Sequence, residues 1–316
     1  MKFDIVYPLG NGSQWNDSEL RYSLRAIQRN LKGVQNIVIV GRCPDFIDKS
    51  KVIFIPADDP LPSNADGNIA LKVLKVCDDP RISEDFLFIN DDHIINSPMH
   101  ISEIGYYHKG NFEAFKKKYW HTGLHRSRLR RTFEVLRQKG YTTFHFDLHT
   151  PIRINKTLFK KYVPQFDFQF DIGYTMKSIY ANPAIPNELK EYIGDRKVKI
   201  FEGKTFTQLT RIFNEAMFIS YNDFGLNGEL KYFLSQRYPR KCKYELFDKN
   251  KEPSEIIREY LAKAKRPLNH KMYNDGVDLF RQYGKNANLL WMFQRKHTEH
   301  TEEKLLYKLQ AISEHF

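Results

Sequence analysis

The sequence predicts an α/β protein, a mainly parallel, doubly wound sheet flanked by helices, with a helical appendage at the C-terminus. Three observations predict it. Short apolar runs alternate with helical patterns over roughly the first hundred residues, as a series of βαβ units requires. One of those runs ends in the acidic turn NDDH, at the end of a strand where open α/β sheets bind ligands. Beyond about residue 250 the chain is polar with helical spacing, as in SEIIREYLAKAK and EEKLLYKLQAI.

Taken in order, FDIVY (3–7) and NIVIV (36–40) are short buried strands. Between them, ELRYSLRAIQRNL places Leu20, Leu24, Ile27 and Leu31 on one helical face, after the candidate caps Asn16, Asp17 and Ser18. KVIFI (51–55) is a third strand, NIALKVLKVC from Asn68 a second helix, and FLFI (86–89) a fourth strand. After about residue 100 the alternation breaks down. FHFDLHTPIRI and AMFISYND predict further strands, and FQFDIGYTMKSIY the start of a helix. The charged turn DKNKEPS divides a domain over 1–250, with a donor half to about residue 100 and an acceptor half beyond it, from a helical region over 251–316.

The hydrophobic share of 41% supports a sizeable core, yet no apolar run is long enough to span a membrane. MKFDIVYPLG enters a strand at once and lacks a secretory pattern. Cys43, Cys77 and Cys242 are scattered, with no Cys-x-x-Cys pair, which predicts reduced thiols in a cytoplasm in place of zinc ligands. A formal net charge of +12 points to a polyanionic partner.

The chemistry concentrates in FLFINDDH. Two adjacent carboxylates repel unless a cation, a solvated turn or a proton relieves them. Read as a D-x-D-like turn, Asn90 and Asp92 take the outer positions, with Asp92 the first ligand of a divalent cation, Mn²⁺ or Mg²⁺, and Asp91 beside the donor. A hard cation neutralises a sugar diphosphate and the leaving nucleotide. An acidic cap at a strand end reads equally well from these residues alone. Tyr7, Pro8, Leu9 and Gly10 follow the first strand directly, where a nucleotide base would lie if the chain resembles the GT-A fold; GNGS is too short for a dinucleotide fingerprint. Arg21 and Arg25 are four apart on the following helix and share a face that can meet a diphosphate.

DIVYPLGNGSQW with ELRYSLRAIQRN resembles the first block of the Stealth-type sugar-phosphate transferases, and LPSNADGNIALKV followed by FLFINDDHIINSP resembles their second. FDLHTPIRINKTLF and FISYNDFGLNGEL echo the third and fourth blocks. Similar sequences occur among tailed-bacteriophage glycosyltransferases, some of which decorate hydroxymethylated DNA bases. The resemblance spans about 3–245 and implies a GT-A-like, Rossmann-related fold with a nucleotide-sugar (UDP-sugar-like) donor. It adds Asn68 and Lys72 to the donor set. Pro-Leu-Gly stands here where the Stealth pattern has Thr-Trp-Val, a departure that bears on phosphotransfer.

By resemblance to GT-A enzymes, a downstream histidine completes the cation site, and His149 is the candidate. If FHFDLHTP is extended, His145, Asp147 and His149 share one face, a ligand with an orienting carboxylate. Asp167 and Asp171 of FDFQFDIGY, with Asn222 and Asp223 of YND, are candidates for the base that deprotonates an acceptor hydroxyl, Asp171 favoured, and Asp147 joins the catalytic set as the orienting carboxylate. The stretch 115–141 holds nine Lys or Arg against one acid, so most of the excess charge sits there. Lys116, Lys117, Lys118, Arg126, Arg128, Arg130, Arg131 and Arg137, with Trp120 and Tyr119 to stack on bases, form a candidate nucleic-acid surface. On a helix, Leu129, Phe133 and Leu136 form its buried stripe. Together these readings predict a metal-dependent transferase that moves a sugar to a hydroxyl on DNA, such as 5-hydroxymethylcytosine. A Stealth-like hexose-1-phosphate transferase acting on polysaccharide and a non-catalytic nucleic-acid-binding protein are the alternatives.

Overall fold

A computed structural model describes residues 3–13, 15–114 and 123–246. The C-terminal region 251–316, the lysines Lys116, Lys117 and Lys118, and the aromatic Tyr119 and Trp120 lie outside the described residues. The chain runs β1 (Phe3–Leu9), α1 (Ser18–Asn30), β2 (Leu31–Lys32), β3 (Val34–Gly41), β4 (Ile53–Pro56), α2 (Ala65–Asp78) and β5 (Asp85–Phe88). There follow β6 (His93–Ile95), β7 (Met99–His100), β8 (Tyr106–His108), α3 (Leu124–Gln138), β9 (Ile152–Asn155), α4 (Lys156–Tyr162) and α5 (Met176–Ala184). The described part ends through β10 (Lys190–Tyr192), β11 (Lys197–Ile200), α6 (Phe206–Glu215), β12 (Phe218–Tyr221) and α7 (Gly228–Arg237).

The central sheet has the order β4-β3-β1-β5-β9. Its first four strands are parallel, and β9 adds an antiparallel edge. Strand alternation explains the two layers that cover it. Val6, Val38, Val40, Phe86 and Phe88 face the layer that holds α2, α3, α4 and α5. Ile5, Tyr7, Ile37, Ile39, Leu87 and Ile89 face the other, where Leu20, Leu24 and Ile27 of α1 pack. The chain leaves β1 for β3 on one side and returns to β5 on the other, which creates a crevice at the carboxyl ends of these strands.

A smaller sheet, β11-β12-β6, stands beside that edge. Its register aligns Lys199, Ser220 and His93 on a single rung. Helices α6 and α7 cover it, together with Tyr22 and Ala26 from α1. Helix α1 therefore contributes to two cores at once.

Two sequence expectations change here. Within FHFDLHTPIRI only Ile152–Asn155 forms a strand. Upstream, the Leu148 N–H donates to Phe146 O (2.7 Å) and the Asp147 N–H to His145 Nδ1 (3.1 Å), contacts that turn the chain and end the alternation. Helix α5 starts only at Met176, because Asp171 (φ 50°) and Gly173 (φ 63°) lie in the left-handed region and break the FQFDIGYT segment.

Candidate active site

The crevice opens into a cleft of about 530 Å³ at the carboxyl edge of the parallel strands. The end of β1 and the turn after it (Pro8, Gly10, Asn11, Gly12 and Ser13) form one wall, and the N-terminal part of α2, including Asn68 and Lys72, forms another. Asp91 and Asp92 line it after β5, with Tyr221 at the end of β12 and Asn222 and Asp223 beyond it. The β1 turn can close down only because Gly41 has no side chain: a Cβ there would stand 2.0 Å from Leu9 O. That carbonyl accepts from Lys72 Nζ (2.7 Å), which also meets Asp59 Oδ1 at 2.5 Å. Asn68 holds the opposite wall by bonding both the N–H and the carbonyl of Leu61.

The acidic pair lies in the turn between β5 and β6, with the His93 N–H bonded to Asn90 O. Asp92 Oδ1 is 3.4 Å from His93 Nε2, and Oδ2 is 3.4 Å from His149 Nδ1. These three side chains bring their ligand atoms within 4.8 Å of one another. His149 was expected here; His93 was not. Asp92 Oδ1, Asn90 Oδ1, both ring nitrogens of His93 and His149 Nδ1 are buried without a hydrogen-bond partner. Unsatisfied buried polar atoms of this kind call for an occupant. One carboxylate and two imidazoles within this reach fit a divalent cation with affinity for nitrogen as well as oxygen. Asn90 Oδ1 sits close by, in a small adjoining cavity with Asp66, Asp147, His149 and Lys177.

Burial, followed by the neighbouring Asp92 carboxylate, raises the Asp91 carboxyl to about 7. Burial lowers His93 well below its ordinary range, with Lys177 and His149 adding to the shift. Lysines crowd the far side. Burial, and then Lys109 and Lys199, bring Lys197 down to about 7; burial brings Lys177 to about 8. Lys199 Nζ is 2.6 Å from His149 Nε2. A charged ammonium must donate in that contact, which leaves the ring proton on Nδ1, facing Asp92.

The other acids separate clearly. Asp147 lines the small cavity and lies 3.7 Å from His125 Nε2 at the start of α3. Burial pushes its carboxyl up, but His125, His145, His149 and Lys177 outweigh this and hold it below the ordinary range. His145 does not join that face: its ring stacks on Phe112 (5.0 Å, 15°). Asp223 is exposed at the rim of the cleft. Asp171 is away from both cavities, its carboxylate 2.6 Å from Arg131 Nη1 on the surface, so its expected place beside an acceptor is not met.

Several donor and nucleic-acid assignments are corrected by geometry. Tyr7 is buried in the core with its hydroxyl 2.8 Å from Ser23 Oγ, and Leu9 is buried too, so only Pro8 and Gly10 of that quartet reach the cleft. Arg21 and Arg25 do share a face, but it meets Glu245: Arg25 is bidentate (2.7 and 2.8 Å) and Arg21 adds a third contact at 2.8 Å. The carboxylate that claims them is more than two hundred residues away in sequence, so helical spacing alone could not reveal it. On α3, Phe133 and Leu136 are buried as expected, with Leu129 half-buried. Arg128 is buried as well, with Nη1 on Asp66 (2.6 Å) and Nε on Ile172 O, which removes it from any nucleic-acid surface. Arg131 is held by Asp171, and Arg130 lies 3.8 Å from Glu134. Arg126 and Arg137 are exposed.

Neither a protein-family model nor a curated protein matches this chain. Among solved structures, the galactosyltransferase LgtC in complex with donor and acceptor sugar analogs aligns at 10% identity and a TM-score of 0.42, over 76% of this chain and 98% of that one. Mouse xyloside xylosyltransferase 1, in its apo form, aligns at 9% identity and a TM-score of 0.37, over 71% of this chain and 98% of its own. A glycosyltransferase involved in glycosylation of the major capsid of PBCV-1 aligns at 9% identity and a TM-score of 0.37, over 76% of this chain and 100% of that chain.

Proposed function

We propose that this protein is a GT-A-type transferase that moves a sugar from a nucleotide-sugar donor to a hydroxyl on nucleic acid, with a divalent cation held by Asp92, His93 and His149. The observation that carries the reading is the cluster of buried, unpartnered ligand atoms beside the strand-end cleft. Its two imidazoles favour Mn²⁺ over Mg²⁺, which prefers an all-oxygen shell. When bound, the cation supplies positive charge against a diphosphate. Pro8 and Gly10 then border the nucleotide, Asn68 and Lys72 fix the opposite wall, and Asp91 lines the same cleft. Asp147 takes the place proposed for Asp171 on the acceptor side. Its carboxylate stays ionised, so it accepts a hydrogen bond from the incoming hydroxyl and orients it. Helix α3 begins at this point, next to Asp147 through His125, and carries Arg126 and Arg137 outward on its exposed surface. That placement favours a polyanionic acceptor, with 5-hydroxymethylcytosine in DNA as the candidate because its hydroxymethyl group already projects into the major groove.

The test incubates the protein and Mn²⁺ with hydroxymethylated or plain DNA and a panel of sugar nucleotides, then measures the mass of the nucleosides and identifies the released nucleotide. A hexose added only to the hydroxymethylated base, with release of a nucleoside diphosphate, is expected. A nucleoside monophosphate would point to transfer of a phosphosugar. Unmodified DNA with no donor consumed would refute the catalytic reading.

A further inference from the structure

A second cavity, of about 600 Å³, opens away from the cleft, between the C-terminal half of α1 and the segment that follows α7. Four arginines line it: Arg25, Arg29, Arg237 and Arg240. Arg25 is committed to Glu245. Arg29, Arg237 and Arg240 form no ion pair among the described residues; Arg29 Nη1 donates to Arg237 O (2.9 Å), and its guanidinium lies 5.9 Å from the centre of the Tyr238 ring. Arg237 also meets the Tyr238 side chain, while Arg29 and Arg240 are exposed on the wall. The stretch RYPRKCK (237–243) contributes four basic residues and no acid. The sequence reading, drawn to the longer basic run at 115–141, passed it over.

Such a wall is concave and cationic, and three of its four guanidinium groups have no acid paired with them among the described residues. Planar guanidinium forks matched to tetrahedral oxygens make this the complement of a phosphate group. We infer that the arginine cavity is an anion site in its own right, separate from the donor cleft, and that it takes a phosphate group. Glu19 lines the cleft and Arg29 lines this cavity, ten residues along the same helix, so the two sites are roughly 15 Å apart. The site does not depend on the sugar-transfer reading. Phosphate oxygens reach it either in a nucleic-acid backbone or as a free ion.

The full chain and its Arg29→Ala/Arg240→Ala variant decide the matter. Two probes are titrated: inorganic phosphate by calorimetry, and a short fluorescent single-stranded oligonucleotide by anisotropy across a salt series. The wild type is expected to bind at least one probe, and the variant to lose tenfold or more of that affinity, since it removes two charge-assisted contacts. Loss confined to the oligonucleotide, with its log-affinity against log-salt slope flattened by about one to two units, identifies a nucleic-acid backbone. Loss for phosphate alone identifies a free ion. Mn²⁺-dependent nucleotide binding at the cleft is unchanged in the variant, so failure of the donor reading would show separately. Equal binding by wild type and variant, or no binding of either probe by the wild type, overturns the inference.

Discussion

Replacing Lys199 with Gln should tighten the cation site, because the lysine opposes metal binding in two ways. Its ammonium donates to His149 Nε2 at 2.6 Å and so keeps the ring proton on Nδ1, the nitrogen that faces Asp92 Oδ2 at 3.4 Å. A ligating histidine instead needs an acceptor behind it, which the Gln carbonyl supplies. The charge acts as well. With the ring and a normal metal–nitrogen bond between them, the ammonium and a divalent ion would stand roughly 6–7 Å apart. Their repulsion is about 1.3 kcal/mol at the dielectric of water and about 5 kcal/mol at an effective value of 20. A half-buried lysine lies between these limits, so Lys199→Gln should gain about 1.5–3 kcal/mol, or roughly tenfold to a hundredfold in Mn²⁺ affinity. The free Mn²⁺ signal in electron paramagnetic resonance, titrated without nucleotide, measures this directly. Unchanged or weaker Mn²⁺ binding in the variant would refute both the tautomer assignment and the position of the cation.

Three further outcomes follow from the geometry. Asp92→Ala should abolish donor turnover and Mn²⁺-dependent nucleotide binding while the thermal transition stays near that of the wild type, read from kinetics and circular dichroism together. Glu245→Ala strands the buried Arg25 guanidinium and should cost about 3–5 kcal/mol, a fall of about 10 °C in Tm for a domain of this size; calorimetry checks it. His145 gives a pH dependence: burial lowers its folded pKa to about 4, against about 6.5 unfolded. The unfolded chain therefore takes up the proton first as pH falls. Stability is full above about pH 6.5 and declines toward pH 4, by about 3 kcal/mol in all, and urea titrations of wild type minus His145→Phe should isolate that decline.

The parallel core was legible because strand and helix periods are local properties: FDIVY, NIVIV, KVIFI and FLFI all fall within or beside the strands they predicted. The acidic pair was legible for a related reason, since a polar turn closing an apolar strand stands out locally; His149 came from the resemblance to GT-A enzymes instead. His93 was not legible. Adjacent residues point to opposite faces of a strand, and only the turn from Asn90 lets Asp92 and His93 converge. Lys199 depended on a register across three strands that are distant in sequence. The fates of Arg21, Arg25, Arg128 and Arg131 were decided by acids elsewhere in the chain, so a basic face read from spacing overstated the charge left for a ligand. The left-handed residues around Asp171 left no periodic trace.

Helix α1 is clamped on both sides, by Leu20, Leu24 and Ile27 toward the central sheet and by Tyr22 and Ala26 toward the small one. The two sheets therefore cannot come apart by peeling at their margin, since releasing one strips a core from the helix that seals the other. Amide protons of β12 should exchange with solvent only in openings large enough to expose β1, as members of a single cooperative unit.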